Sequence, residues 1–418
     1  MKRPSTHDPR PLAATLFLTL AVTARAWAAE TGGIPGDWLS QYAGARTLGL
    51  GGAYVAAADD PLGAVWNPAG PTQMDQNRIL FETARVFEGT SLNSIGFAVP
   101  GSRLPTLGLS VLTLHSGDFQ KTNELNDDLG TFAESEMAVL LNVSRAFTPR
   151  MAAGINLKMA RQSVEDFSAG GVGVDVGGLC NVTPTLRIGA SILNLGGPNI
   201  TLRDVKETYP TEVRGGMAAT IFNGRGLLAF QVDALSGPGV RLHAGAEYQI
   251  QPSIALRVGY DDRYAAGGFS YRTNGPMQID YALADQPLGM SHRVGLSYRF
   301  GGFFASSKAE PAVFSPTGEN SVTKILLNAR TKADAESWSL SLMNKSGEIV
   351  RRFGGKGQPP AHLLWDGKDE AGLPLPDGVY HYWLTVNDKQ GREITGATHE
   401  VEIFTGGPQG SVPVEPTH

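Results

Sequence analysis

Cysteine is almost absent from this sequence. Its 418 residues hold one, Cys180, which excludes an internal disulfide and any cysteine-based metal cluster. A concentrated basic face is missing as well. Lys and Arg total 35 against 40 Asp and Glu, a formal charge of -5, and this argues against a nucleic-acid binder. Past the first 30 residues no apolar run reaches the roughly 20 residues that a membrane-crossing helix needs, which excludes a helical inner-membrane protein. Catalytic signatures are lacking too, with no Gly-x-Ser-x-Gly elbow and no His-Glu-x-x-His. His115, His243 and His292 are therefore read as isolated polar groups. The chain is expected to be no enzyme and to use no metal or cofactor.

The first residues carry an export pattern. Lys2, Arg3 and Arg10 precede the apolar run Leu12 to Val22, and Ala26-Trp27-Ala28 supplies small residues at alternate positions. The apolar run is too short to span a hydrocarbon core of about 30 Å. Residues 1–28 are expected as a signal peptide, cleaved after Ala28.

What the chain does have is alternation. From Ile79 to Phe300, runs of about ten residues repeat with period two, the length of a tilted strand crossing a bilayer. In "VRLHAGAEYQI", Leu242, Ala244, Ala246, Tyr248 and Ile250 share one face, and Arg241, His243, Gly245, Glu247 and Gln249 share the other. "MAAGINLKMA" sets Ile155, Leu157 and Met159 against Asn156 and Lys158, and "SHRVGLSYRF" sets Val294, Leu296, Tyr298 and Phe300 against Arg293, Ser297 and Arg299. Such runs fall at 79–86, 92–99, 105–114, 134–147, 151–162, 171–181, 185–194, 211–221, 226–234, 240–250, 253–262, 266–273, 276–285 and 291–300, an even number. By parity His243 faces a lumen, His292 lies on the apolar face near a rim, and Cys180 shares the apolar face of Val172, Val174 and Val176.

Connections alternate as well. One set, "PGSRL", "TPR", "VTPT", "NGRG", "QPS" and "RTNGP", consists of short turns marked by Pro or Gly. The other includes the long stretches His115 to Glu134 and Leu195 to Pro210. Outer-membrane barrels place short turns in the periplasm and long loops outside. Residues 79–300 are thus expected as a 14-stranded antiparallel transmembrane β-barrel. A soluble β-sandwich also alternates, but its strands average about five or six residues.

A ring of fourteen strands encloses more space than its own side chains fill. Residues 29–78 are the expected filling, an N-terminal plug or hatch. Its Gly- and Ala-rich "WLSQYAGARTLGLGGAYVAAADDP" suits close packing, and Pro61 and the turn around Asn67 break any long helix. The stretch "GARTLGLGGAYVAAADDPLGAVWNPAGPTQM" resembles the N-terminal signature of the PorV/PorQ family, within the wider FadL-like outer-membrane transport proteins. The match includes Gly51, Gly52, Asp59, Asp60, Trp66, Asn67, Pro68 and Ala69, and these form the candidate plug or gate motif. The resemblance implies a 14-stranded barrel with an internal hatch. It also implies either a shuttle or scaffold role in type IX-like secretion or, as the alternative, a channel passing hydrophobic small molecules. Structural roles for Asp59, Asp60 and Trp66 are favoured over ligand contact.

After Phe300 the pattern changes. Residues 301–312 read as a linker, 313–404 as a small β-sandwich, and 405–418 as a flexible tail. "WDGKDEAGLPLPDGVYHYWLTV" resembles the FlgD-type immunoglobulin-like domain through Trp365, Asp366, Gly367, Asp369, Gly372, Pro376, Gly378, Tyr380 and Tyr382. Its acidic loop invites a calcium reading, but the full 12-residue loop pattern is absent, and turn-forming acids around a buried Trp are the favoured account. The expectation is an all-β protein in the outer membrane of a Gram-negative-type cell, with this domain in the periplasm. Its expected partners are outer-membrane lipid and other envelope or secretion proteins, docked through the outer loops and the Ig-like domain, and possible ligands are hydrophobic. An appended domain tilts the balance toward the secretion role.

Overall fold

The computed structural model describes residues 33–406 apart from positions 88, 103, 237–238, 274, 287–288 and 318–320. The expected signal peptide and nearly all of the expected tail lie outside the described residues. The chain divides into two units at Phe300/Gly301.

In the first unit, short helices lead into strands. Helix α1 is Asp37–Tyr42 and α2 is Ala45–Gly49, followed by 3-10 turns at Pro61–Val65 and Gly70–Gln73. The strands are β1 (Asn77–Phe87), β2 (Thr90–Val99), β3 (Thr106–Thr122), β4 (Asp128–Ala146), β5 (Met151–Val164), β6 (Phe167–Asn181), β7 (Leu186–Leu195), β8 (Asn199–Leu202) and β9 (Val205–Thr208). They continue as β10 (Glu212–Ile221), β11 (Gly226–Leu235), β12 (Val240–Gln251), β13 (Ile254–Asp261), β14 (Tyr264–Arg272), β15 (Met277–Gln286) and β16 (Gly289–Phe300). Fourteen of these close into an antiparallel barrel in the order β1 to β7, then β10 to β16, and β16 pairs back to β1 from Asn77↔Phe300 to Arg85↔His292. Each of the fourteen alternating runs falls on its own barrel strand.

Burial follows the pleat. On β5, Ile155 and Leu157 point outward while Asn156 and Lys158 are almost fully buried. On β16, Val294, Leu296 and Tyr298 point outward, and Arg293 and Ser297 point in. A soluble protein would not expose so many large apolar side chains while enclosing its charges. The pattern is that of an outer-membrane-type barrel, with an apolar skin and a polar interior. Aromatic residues gather outside the short-turn rim, where Phe97 stacks beside Phe300 and Phe222 meets Tyr248 edge-on, as interfacial girdles require. Cys180 lies beside inward Leu179 on the outward parity of β6.

Two expectations about the long connections are corrected. His115 to Glu134 is no loop, because β3 and β4 run on as a paired hairpin to Thr122↔Asp128. At 17 and 19 residues these strands exceed the 9–11 or so that a bilayer requires. The projecting part pairs through its backbone, and its polar side chains carry little alternation. Within Leu195 to Pro210, β8 and β9 form a separate two-stranded hairpin, which leans on β6 where Gly171 and Gly173 leave room for the Gly197 and Asn199 backbones.

In the second unit, β17 (Phe304–Glu310), β19 (Thr323–Arg330) and β22 (His362–Trp365) form one sheet. A second sheet runs β18 (Val313–Phe314), β25 (His399–Ile403), β23 (Gly378–Asp388), β20 (Ala335–Met343) and β21 (Ile349–Lys356), with β24 (Glu393–Thr395) on β23. Residues 301–312, expected as a linker, thus contribute a full strand: β17 pairs with β19 from Phe304↔Arg330 to Glu310↔Lys324. Its inward residues Ala305, Ser307 and Ala309 are buried but small, which is why the segment lacked a hydrophobic signal. The core between the sheets centres on Trp365, wholly buried, with Phe314 and Tyr380 edge-on to it. The acids of its loop serve the turn: Lys368 N donates to Asp366 and Leu373 N to Asp369.

Candidate functional site in the barrel lumen

The segment before β1 lies inside the barrel, and its most buried part is the motif singled out in the sequence. Gly51 and Gly52 both adopt left-handed backbone, φ 62° and 83°, a region that favours glycine. They sit where a side chain has no space, against the backbone of Tyr260 and the ring of His243. Asp60 caps the Pro61–Val65 turn, accepting from Gly63 N at 2.7 Å, and also accepts from Tyr54 Oη at 2.7 Å. Its neighbour Asp59 is partly exposed and paired with Arg46. Trp66 is buried, donates from Nε1 to Ala43 O at 3.1 Å, and lies under the Arg214 guanidinium of β10, 4.4 Å from the ring centroid.

Asn67 joins plug to wall. It is fully buried, and its Nδ2 donates to Val55 O (2.7 Å) and to Gly178 O of β6 (3.1 Å), while its Oδ1 accepts from Ala69 N (3.0 Å). Pro68 O accepts from Asn142 of β4 at 2.8 Å, and Ala69 begins the last turn before β1. The structure therefore brings all eight motif residues into one plug docked on the wall.

The wall is built to receive them. Side-chain amides on the lumen face reach plug backbone: Asn156 donates to Ala64 O at 2.8 Å, and Gln231 Oε1 accepts from Tyr54 N at 2.9 Å and from Val55 N at 2.6 Å. Luminal glycines admit the plug backbone directly. A Cβ at Gly154 or Gly177 would collide with Pro68 or Asn67, one at Gly189 with Val55, and one at Gly245 or Gly259 with Leu50 and Gly51. Sequence reading placed Gly245 on the polar face of its strand, with Arg241 and His243. That inward parity was legible, but nothing along the chain showed what lay opposite.

Charge pairing adds to the docking. Arg46 of α2 reaches Glu247 of β12 at 2.9 and 3.1 Å. Arg257 of β13 engages the same carboxylate. Ala45 N donates to both oxygens of Glu82 at 3.0 Å, and His243 meets Gly51 O at 2.9 Å while lying between Asp233 (3.1 Å) and Asp261 (3.3 Å). His243 is thus the lumen residue its parity indicated. His115 and His292 face outward on β3 and β16, the latter bonded to Tyr281 at 2.8 Å. Between plug and wall, beside Trp66, His243 and Tyr264, remains a cavity of about 10 Å³, close to the least that holds one water.

Toward the long-loop end the lumen divides. The inward faces of β1 to β5 become apolar, with Ala84, Val86, Leu92, Leu112, Ala138 and Ala160 in one buried cluster that also takes in Trp38, Leu39, Ile200 and Tyr209. The opposite wall carries Asp233, Arg241, His243 and Asp261. Helix α1 crosses between the two. Asp37 binds Arg241 of β12 at 2.7 Å, and Trp38 Nε1 and Tyr209 Oη (3.1 Å) both donate to Glu136 of β4. Neither the Glu136 anchor nor the apolar cup was found from sequence, since each collects residues far apart in the chain.

No protein-family profile matches the sequence, and no curated protein matches it either. Solved structures match in fold. A deltaS2 mutant of the TodX monoaromatic hydrocarbon channel aligns at TM-score 0.50 and 12% identity over 63% of this chain and 100% of that one. The toluene transporter TodX of Pseudomonas putida gives 0.49 and 11%, over 61% and 97%. A FadL homologue of Pseudomonas aeruginosa gives 0.45 and 13%, over 61% and 98%. At these identities the likeness is one of architecture, and the chain is an outer-membrane-type barrel similar in fold to the TodX channel.

Proposed function

We propose that this protein is a gated outer-membrane channel for small hydrophobic molecules, held closed by its plug and by α1. The observation that carries the reading is the apolar cup on the lumen face of β1 to β5. Outer-membrane barrel interiors are ordinarily polar, and a patch of Leu, Val and Ala gives an apolar solute a place to shed water, at about 25 cal/mol per Å². In the closed form Trp38, Leu39 and Ile200 fill the cup, so entry of a solute requires α1 to leave its anchors on Glu136 and Arg241. In this reading the eight motif residues form the gate, and the short turns with the second unit lie in the periplasm.

The test is saturable binding of toluene to the purified chain, followed by the fluorescence of Trp38 as the difference from a Trp38→Phe variant. Binding should weaken at least tenfold in Leu112→Asn, and uptake by cells carrying the chain should rise in Glu136→Gln. A linear, unsaturable response in the wild type ends the channel reading.

A secretion-associated shuttle or scaffold of the PorV/PorQ type is a second reading, favoured by the appended unit. The FlgD-type Ig-like assignment of that unit draws support from the buried Trp365 and from Tyr380 Oη, which donates to Pro376 O four residues upstream at 2.7 Å, as in the tyrosine corner of Ig-like sandwiches. Deleting residues after Phe300, or the tip of the β3–β4 hairpin, and comparing partners recovered from outer membranes tests it. Loss of one defined partner supports the scaffold, and unchanged recovery removes it.

A further inference from the structure

The short-turn mouth of the barrel carries a group of cations with no evident counterpart. Arg78 of β1 and Arg299 of β16 are direct cross-strand partners, and their parity places both on the lumen face with Leu80 and Ser297. Like charges directly opposite each other destabilise a strand pair. Arg272 ends β14 on the same face and close enough to repel both. Among the described residues no carboxylate lies within ion-pair distance of any of the three. The Nε atoms of Arg78 and Arg299 are enclosed without a hydrogen-bond partner, and Arg272 reaches only the Gln278 amide oxygen, at 3.3 Å. Asp280 and Asp59 act on Arg272, and Asp60 on Arg78, from a distance, but each is already engaged: Asp280 by Arg257, Ser270 and Gln278, Asp59 by Arg46, and Asp60 by Tyr54 and Gly63 N.

Several luminal guanidiniums are paired with carboxylates, Arg46 with Glu247, Arg214 with Glu212 and Arg241 with Asp37. At this mouth three lie close together without an ion-pair partner, Arg78 and Arg299 half-buried and Arg272 exposed, a repulsion that an anion between them would relieve. A planar fork of donors suits tetrahedral oxyanions, and a cleft lined by one sign of charge concentrates them.

We propose that Arg78, Arg272 and Arg299 form a phosphate-type oxyanion site at the short-turn mouth, beneath the plug. Its occupant is free phosphate or the phosphate of a phospholipid headgroup. The site is independent of what crosses the lumen.

The test takes the full chain in neutral detergent and compares melting in sodium phosphate and in sodium chloride of equal ionic strength. Phosphate stabilises proteins generally, so the readout is the difference between wild type and an Arg78→Gln/Arg299→Gln variant. Phosphate should raise the wild-type Tm by several degrees more than the variant's. In chloride, and with equal lipid retained, the variant should melt no lower than wild type, because a repulsion has been removed. If the double variant fails to insert, Arg272→Gln alone should need severalfold more phosphate for the same shift. Phospholipid phosphorus retained on the purified protein separates the sources. A headgroup in the site copurifies with wild type and is reduced in the variant, whereas free phosphate leaves the two equal. Equal phosphate responses with equal lipid content, or a variant that melts lower in chloride although it retains as much lipid as wild type, overturns the site.

Discussion

Asn67→Ala tests the docking of plug on wall most directly. The side chain is fully buried and makes three hydrogen bonds, to Val55 O, to Gly178 O and from Ala69 N. Truncation leaves at least one plug carbonyl and one plug amide enclosed without a partner, each costing about 1–3 kcal/mol. Taking roughly 3 kcal/mol for the docked plug, and a factor of ten per 1.4 kcal/mol or so, the undocked population rises about a hundredfold. Native-state hydrogen exchange in detergent reads this residue by residue. Amides from Tyr54 to Gly70 should exchange about a hundred times faster than in wild type, while ladder amides of β4 to β7 keep their protection. If plug amides exchange at the wild-type rate, or if wall and plug accelerate together, Asn67 does not hold a separately opening plug and the reasoning fails.

Three further perturbations follow from the same geometry. Gly177→Val drives a side chain into Asn67 and Pro68; the plug should be excluded and trypsin should cut at Arg46 while the wall resists, and an uncut plug contradicts the close approach. Arg46→Met removes the cation between Asp59 and Glu247; Glu247 keeps Arg257 and Asp59 is partly exposed, so at about 1.5 kcal/mol for the lost charge-assisted hydrogen bonds exchange near Tyr54 should accelerate by about one decade, and a change under twofold would count against it. In the second unit, Trp365→Ala empties the centre of the core at a cost of about 3–5 kcal/mol; proteolysis of the full chain should then remove residues after Gly301 and spare the barrel, and equal resistance to wild type refutes that core.

Barrel strands were legible because two solvents write opposite rules on one strand. Lipid selects Ile155 and Leu157, the lumen selects Asn156 and Lys158, and the period of two survives wherever both solvents act. It fades where only one does. Past the bilayer, β3 and β4 are wet on both faces and pass for a loop. In β17, Ala305 and Ala309 are buried without being bulky, so the strand looks like a linker. The plug was legible as a position and a motif, but its attachments were not. Glu82, Gln231, Glu247 and His243 meet the plug from β1, β11 and β12, and no spacing along one chain announces a meeting across a ring. Arg299 was placed on the polar face of the last run, but its grouping with Arg78 was not legible for the same reason, since the two become neighbours through the closing strand pair.

The glycines that line the wall carry a consequence for how such a chain can vary. In an open pore each inward residue faces water and can be exchanged alone to retune selectivity. Here Gly154, Gly177, Gly189, Gly245 and Gly259 press against another part of the same chain, so the cylinder's interior obeys the packing rules of a soluble protein's core while its exterior obeys those of a membrane. A substitution at any of these glycines must be matched by a change far upstream in the plug, and plug and wall can drift only in step.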